Sequence, residues 1–357
     1  MKKKVKIGIV GLGRVFEHYL KLFKSNKIKN YQIVSLCDLD YKRSNNTKKI
    51  INTKFYKNYK DSNFYKEIDL AIILTVSGTH YEICKFFLNK KINVLCEKPL
   101  TMTPEKSLEL YKLAKKKQVM CGVVFQNRFN PSIELIRKSI DKGIFGKIVN
   151  VSVSLLWCRY QEYYNDNWHG RWKKDGGVLN QQLIHHLDIM RWIFGPIVRV
   201  SCTTTKRLNK LEAEDTASAI VEFSNGSLGN IVATTAARPV DLQASLSIIG
   251  EKGIAIVGGI AMNQIKVWKL INQKKNEEVK IKKQNSQKVL NGYGLSHITY
   301  LNKVFKLILK NKTKPPVDAF EAYLTSIFVH SLYRSSETSK WVKLNSGLRS
   351  KKLGFKN

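Results

Sequence analysis

The chain has 357 residues, 43% of them hydrophobic, which exceeds what one core usually supports and sets two domains as the expectation. Its net charge of +35, from 62 Lys and Arg against 27 Asp and Glu, invites a nucleic-acid reading. The lysines are spread over predicted helices (Lys112, Lys115, Lys116, Lys117), loops (Lys274, Lys275) and the termini, so a solvated basic surface that gathers small anions is favoured over a nucleic-acid site.

At the N-terminus Met1-Lys2-Lys3-Lys4 imitates a secretory signal, but Lys6 interrupts the apolar run and Arg14, Glu17 and His18 follow at once, so the segment reads as a first strand of a cytoplasmic protein. The longest apolar stretch, residues 70–76, is too short to cross a bilayer. Six scattered cysteines (Cys37, Cys84, Cys96, Cys121, Cys158, Cys202), none in a C-x-x-C pair, suggest buried thiols in a reducing compartment and no metal site.

Up to about residue 125, strand-like and helical runs alternate: 5–10 and 17–25, 33–37 and 41–50, 70–75 and 81–89, 94–97 and 104–117, then 119–125. That alternation predicts a doubly wound parallel sheet with helices on both faces, a dinucleotide-binding domain over 1–125. The first turn carries Gly8, Gly11 and Gly13, which let the backbone approach a pyrophosphate at the N-terminus of the next helix, where Arg14 and Val15 lie. Phe16 stands where a third glycine or alanine is usual. Asp38 ends the second strand, where a carboxylate bonds ribose hydroxyls and repels a 2′-phosphate, favouring NAD over NADP.

Glu97-Lys98-Pro99 follows the apolar run 92–96, at the carboxyl end of a buried strand, where ligands collect in open α/β sheets. Pro99 biases Lys98 towards an extended backbone, and its ammonium is suited to hydrogen-bond a substrate hydroxyl and favour its deprotonation.

After Arg128-Phe129-Asn130-Pro131 the pattern changes. A helix over 132–142 precedes period-two alternation over 148–160 and an aromatic, basic loop over 168–174. Gly176-Gly177 leads into a helix over 179–194 that stops at Gly195-Pro196. On one continuous helix Gln181, His185 and Asp188 share a face, which suits His185 as a general base with a polar orienter, while His186 reads as a core histidine satisfied by a carbonyl. Strands at 197–205 and 265–270, hairpins at Asn225-Gly226 and at 250–253, a mobile loop at 272–288 and a last helix at 319–339 complete a mostly antiparallel α+β domain over 126–357.

With these residues in place the chain resembles the Gfo/Idh/MocA oxidoreductases. The resemblance rests on Gly11-Leu12-Gly13, Cys37-Asp38, the run from Thr75 to His80, Glu97-Lys98-Pro99, Asn127 to Pro131, and the Gly-Gly helix with His185 and Asp188. It implies a Rossmann domain followed by a C-terminal domain whose open sheet builds dimers or tetramers, and it implies that Lys98 and His185 are the catalytic lysine and histidine. It adds Thr75, Ser77, His80, Glu97, Lys98, Asn127 and Arg128 to the cofactor residues. The chain departs from the family pattern at Gln181, Leu183 and Val76, where an aspartate, a glycine and a proline are common.

The segment with Arg159, Tyr164, Trp168, Arg171 and Trp172, leading to Gln181, resembles a branch associated with oxidation of sugars and nucleotide sugars in surface-polysaccharide pathways. Aromatic faces stack on sugar rings and arginines grip carboxylates or phosphates, so these residues join Lys98 and His185 as substrate candidates, with core or subunit packing an equal reading for the aromatics. The expected function is hydride transfer between a secondary hydroxyl of a sugar, sugar acid or nucleotide sugar and NAD. The alternatives are a non-catalytic dinucleotide sensor, or a ketoreductase or aldose oxidoreductase running in reverse.

Overall fold

Six short runs, Val5–Val10 (β1), Tyr31–Cys37 (β2), Lys54–Tyr56 (β3), Leu70–Ile73 (β4), Asn93–Cys96 (β5) and Cys121–Val123 (β6), pair in parallel in a computed structural model that describes residues 3–48 and 51–355. Their order is β3-β2-β1-β4-β5-β6, so the strand order reverses between β1 and β4. Every residue of β4 is buried, which is why the central strands read as unbroken apolar runs with no alternation. Helices Arg14–Lys24, His80–Asn89 and Pro104–Lys117 are crossovers of this sheet. The second helix spans Tyr41–Lys48, and the end expected for it at residue 50 lies outside the described residues.

The chain forms two compact units, Met1–Phe125 with His297–Leu324 and Gln126–Ser296 with Thr325–Asn357. The contiguous division at 125/126 read from the sequence instead places 297–324 with the second domain. Helix Ser296–Leu309, absent from the sequence reading, carries the chain back, and Tyr300 donates its hydroxyl to the Val123 carbonyl at 2.6 Å. The Val123 amide donates to the Val317 carbonyl at 3.1 Å, so the returning segment satisfies the outer edge of β6.

The second unit holds an eight-stranded sheet of Ile148–Leu156 (β7), Ile197–Thr205 (β8), Thr216–Phe223 (β9), Leu228–Thr234 (β10), Gln243–Gly250 (β11), Gly253–Gly258 (β12), Gln264–Leu270 (β13) and Val342–Lys343 (β14). The order is β13-β12-β11-β7-β10-β9-β8-β14, parallel between β7 and β10 and antiparallel elsewhere. Alternation is visible in the burial: Val151, Val153, Leu155, Val221, Ile231 and Leu246 are buried, while Ile220 and Val232 are exposed. Gly226 turns the β9–β10 hairpin at φ +82°, in the left-handed region that glycine adopts without strain.

Two local expectations change. The 272–288 segment contains a helix, Glu277–Asn285, with Glu277 and Glu278 in its first turn, Lys282 and Lys283 in its last, and a Glu278–Lys282 ion pair at 2.7 Å. The predicted 179–194 helix is two pieces, Val178–Gln181 and Ile184–Phe194. The Leu183 amide donates to the Val178 carbonyl at 2.8 Å, a five-residue span that inserts an extra residue and moves Gln181 out of helical register with His185.

Candidate active site

At the end of β1 the chain turns at Gly11, φ +96°, where a Cβ would lie 2.7 Å from the Leu74 backbone, so the turn packs directly on the end of β4. A Cβ on Gly13 would meet nothing nearer than the Arg43 guanidinium at 3.5 Å, leaving a shallow open cradle above the helix that starts at Arg14. Its N-cap residue, Gly13, makes no side-chain cap bond, and the N-terminal end of a helix favours an anion. The Asp38 carboxylate sits beside the same turn, accepting from the Leu12 amide at 2.7 Å and from the Asp40 amide at 2.9 Å. Arg43 approaches it to 3.5 Å. Glycine turn, uncapped helix and strand-end carboxylate together fit a dinucleotide.

On the other side of the strand-order reversal, Lys98 is half-buried at the end of β5, with buried residues before and after it. Glu97 accepts from the Lys98 amide through Oε2 at 3.3 Å and from the Tyr19 hydroxyl through Oε1 at 2.8 Å. His80 faces the Pro99 carbonyl with Nδ1 at 2.7 Å and the Thr75 carbonyl with Nε2 at 3.0 Å. Burial lowers the His80 pKa despite these carbonyls, and the neutral ring, with a single N–H, donates to one of the two while packing between the β4 loop and the Lys98-Pro99 step. Both nitrogens being turned to backbone, His80 supports the expected cofactor loop from beneath. Thr75 is bound through its hydroxyl by Thr79 at 2.8 Å, and Ser77 is buried in the short turn Ser77–Thr79.

In the second unit His185 is half-buried, whereas every other residue from 178 to 190, all of them described, is buried. The break after Gln181 therefore presents one imidazole at the surface of an otherwise enclosed segment. Asp188 does not serve it: its carboxylate takes two hydrogen bonds from Arg128, both at 2.6 Å, and one from the Thr325 hydroxyl at 2.9 Å. Arg128 is itself buried and lies over the Trp192 ring, so this expected cofactor residue forms an internal ion pair. Asn127 is buried with Oδ1 lacking a protein partner, and Gln181 is buried. His186 is buried too, but neither ring nitrogen has a protein partner, so the carbonyl expected for it is not there; burial pushes its pKa down to about 3.

The aromatic and basic loop divides between packing and surface. Trp172 is buried edge-on to Tyr333, and Tyr164 is buried with its hydroxyl 2.7 Å from that of Thr235. Arg159 pairs with Asp241 at 2.9 Å and lies over the Trp157 and Tyr163 rings. Arg171 is exposed and pairs with Glu212 at 2.7 Å. Trp168 stacks on His169, with ring centroids 3.5 Å apart. A cavity of about 640 Å³ lies here, lined by Tyr164, His169, Arg171, Lys206, Lys210 and Glu212 among others; His185 does not line it.

Sequence reasoning missed Glu214, which is buried under the Gly176-Gly177 turn. Its Oε1 accepts from the Leu179 amide at 3.0 Å and from the Tyr333 hydroxyl at 2.8 Å, and its backbone carbonyl accepts from the Val178 amide at 3.1 Å. The carboxyl thus begins the segment that ends at His185. Burial raises its pKa from 4.5 to about 7. Across that window the folded carboxyl holds a proton that the unfolded chain has released, so its contribution to stability falls by about 3 kcal/mol as pH rises from 4.5 to 7. Glu214→Gln cannot ionise, and denaturant melts at a series of pH values are expected to show the variant gaining on the wild type over this window. Parallel curves would count against a buried, protonatable Glu214.

Among the described residues no cluster of His, Cys, Asp or Glu is arranged to hold a metal, and no helix is long and apolar enough to cross a membrane. Two family models match: the oxidoreductase family NAD-binding Rossmann fold over residues 5–125, and the oxidoreductase family C-terminal alpha/beta domain over 137–344. The crystal structure of the WlbA dehydrogenase from Bordetella pertussis, in complex with NADH and UDP-GlcNAcA, is similar at 28% identity and a TM-score of 0.89, over 97% of this chain and 99% of that one. Inositol 2-dehydrogenase from Salmonella typhimurium is 22% identical over 94% of this chain and 95% of its own length. An uncharacterised oxidoreductase of Synechocystis is 28% identical over 57% of this chain, and the match spans 58% of that relative's length.

Proposed function

The chain belongs to the Gfo/Idh/MocA oxidoreductase family, and we propose that it oxidises a secondary hydroxyl of a nucleotide sugar, or of a related sugar or sugar acid, with NAD as acceptor. The observation that carries this reading is Lys98, braced by Glu97 and His80 at the carboxyl end of β5 in the same sheet that holds the glycine turn and Asp38. The WlbA dehydrogenase, seen with NADH and UDP-GlcNAcA, supports a nucleotide sugar as the substrate class.

Gly11, Gly13 and the amides of Arg14 and Val15 would hold the pyrophosphate, Asp38 the adenosine ribose, and the loop from Thr75 to Ser77 the nicotinamide side. Bound there, the dinucleotide supplies the hydride acceptor. Lys98 donates a hydrogen bond to the reacting hydroxyl and favours its alkoxide character, and His185 receives the proton. Arg171 and the neighbouring Lys206 and Lys210 give the substrate's phosphates or carboxylate a cationic surface. The same residues serve reduction in the opposite direction by microscopic reversibility. A sensor that only binds the dinucleotide would have no need of a lysine at this strand end whose backbone step is held by Glu97 and His80. The protein is proposed to act in the cytoplasm as a dimer or tetramer, with the exposed apolar positions Ile220 and Val232 of the open sheet facing another copy.

The test is incubation of purified protein with NAD and a panel containing UDP-GlcNAcA, UDP-sugars, free hexoses and inositol, read by nicotinamide absorbance and repeated after cofactor exchange. Reduction with UDP-GlcNAcA is expected, and turnover confined to inositol would refute the nucleotide-sugar assignment. The Asp38 carboxylate makes a second prediction: NADH binds at least about tenfold tighter than NADPH in a fluorescence titration, since a 2′-phosphate beside it is repelled. Equal or tighter NADPH binding would transfer the decisive role to Arg43.

A further inference from the structure

Behind Lys98 lies a buried polar cluster that the proposed reaction does not use. His297 is buried at the start of the helix Ser296–Leu309, with Nε2 3.7 Å from Glu97 Oε1 and Nδ1 lacking a protein hydrogen-bond partner. Its ring lies edge-on to two rings of the helix Arg14–Lys24, with centroids 4.8 Å from His18 and 5.5 Å from Tyr19. Tyr19 also donates its hydroxyl to the same Glu97 oxygen. One carboxylate is therefore bonded to the helix of the glycine turn, faced by the returning helix, and bonded to the backbone amide of Lys98.

Burial pushes the Glu97 pKa up, but His297, Lys98 and Tyr19 outweigh it and keep it below the ordinary value. Burial, with His297 next, depresses His18 to about 4, and it is His297 whose Nε2 lies 3.7 Å from the carboxylate. An uncompensated carboxylate at this depth would be costly, and a mobile one could not fix the strand end.

We propose that His297 and Tyr19 are positioning residues that act through Glu97, holding the Lys98 backbone at the strand end so that its ammonium meets the reacting hydroxyl in one geometry. The proposal rests on the reading of Lys98 given above. It assigns a role to the first residue of the Glu97-Lys98-Pro99 run and to a helix that sequence reading did not find. A displacement of about 1 Å at a reacting group can cost on the order of a hundredfold in rate, so loss of a buried brace is felt in kcat.

The test uses His297→Leu, Tyr19→Phe, Glu97→Gln and the Glu97→Gln/His297→Leu double variant of the full chain. His297→Leu and Glu97→Gln should each lower kcat about 10–100-fold with KM for NAD within about twofold, and the double variant should be no slower than the slower single one. Independent, multiplying effects, or a His297→Leu kcat within twofold of wild type, overturn the proposal. If His297→Leu fails to fold by circular dichroism, Tyr19→Phe, which removes only a hydroxyl, decides by the same criteria. A second readout needs no substrate: competitive acylation with acetic anhydride, followed by mass spectrometry, should show the Lys98 labelling rate changed at least about threefold in His297→Leu and Tyr19→Phe, with Lys112 unchanged. An unaltered Lys98 rate overturns the proposal even if the enzyme is active. Full activity of Lys98→Ala would defeat the catalytic reading, while the labelling would still report on the brace.

Discussion

Exchange of Lys98 for alanine lowers kcat by about two to four orders of magnitude and leaves the NADH dissociation constant within about twofold. The split follows from what each residue touches. The turn at Gly11 and Gly13 and the Asp38 carboxylate lie at the ends of β1 and β2, and they keep their own bonds to Leu12 and Asp40 whether or not an ammonium stands at the end of β5. Glu97 and His80 also retain their backbone and Tyr19 partners, so the truncation removes a charge without loosening the sheet. His185→Ala should match it in kcat, and the double variant should be little worse than either single one, because an alkoxide cannot be stabilised where no base has received its proton. Stopped turnover with an identified sugar substrate checks the first quantity and NADH fluorescence the second. Wild-type kcat in either variant would remove Lys98 or His185 from the chemistry, whatever the family of the chain.

The dinucleotide half was legible because its physics is local. Parallel strands buried on both faces must be apolar runs, glycine must stand where the backbone touches another strand, and Asp38 falls at a strand end by counting. The second half was legible in class, since period-two alternation marks an open sheet. What stayed hidden depends on partners distant in sequence. An apolar stripe on the helix Ser296–Leu309 announces a buried face, yet nothing in it says that Tyr300 will reach Val123. Asp188 keeps helical register with His185 on Ile184–Phe194, yet Arg128, sixty residues earlier, takes its carboxylate, and the Leu183-to-Val178 bond removes Gln181 from the shared face. By composition Trp172 and Tyr164 read equally as sugar platforms or as packing; both are buried, and Tyr164 also lines the cavity beside Arg171. Glu214 carried no signal, because a glutamate before a strand is ordinarily a surface residue.

Gly177→Ala is expected to be the most disruptive single-methyl addition near His185. Its backbone, at φ −105°, is acceptable to alanine, so the cost is steric and not conformational. The added Cβ would lie 2.2 Å from the Glu214 carbonyl oxygen and 2.3 Å from its carboxyl, and neither can withdraw cheaply. The carbonyl is fixed by the Val178 amide, the carboxyl by Leu179 and Tyr333, and Tyr333 in turn accepts from the Gly177 amide at 3.2 Å. Making room opens this joint and strands a buried carboxyl that depends on those donors, so the loss should reach about 3 kcal/mol, the upper part of the range for overpacking. For a chain of 357 residues that corresponds to a Tm lowered by roughly 4 °C, and kcat should fall with it because the joint begins the segment that presents His185. Gly347→Ala is the matched control: its Cβ would meet nothing nearer than the Asn345 side chain at 4.0 Å, and its stability should stay within about 0.5 kcal/mol of wild type. Thermal melts of the two variants side by side decide the matter, since equal Tm values would mean that Glu214 yields and does not hold the turn.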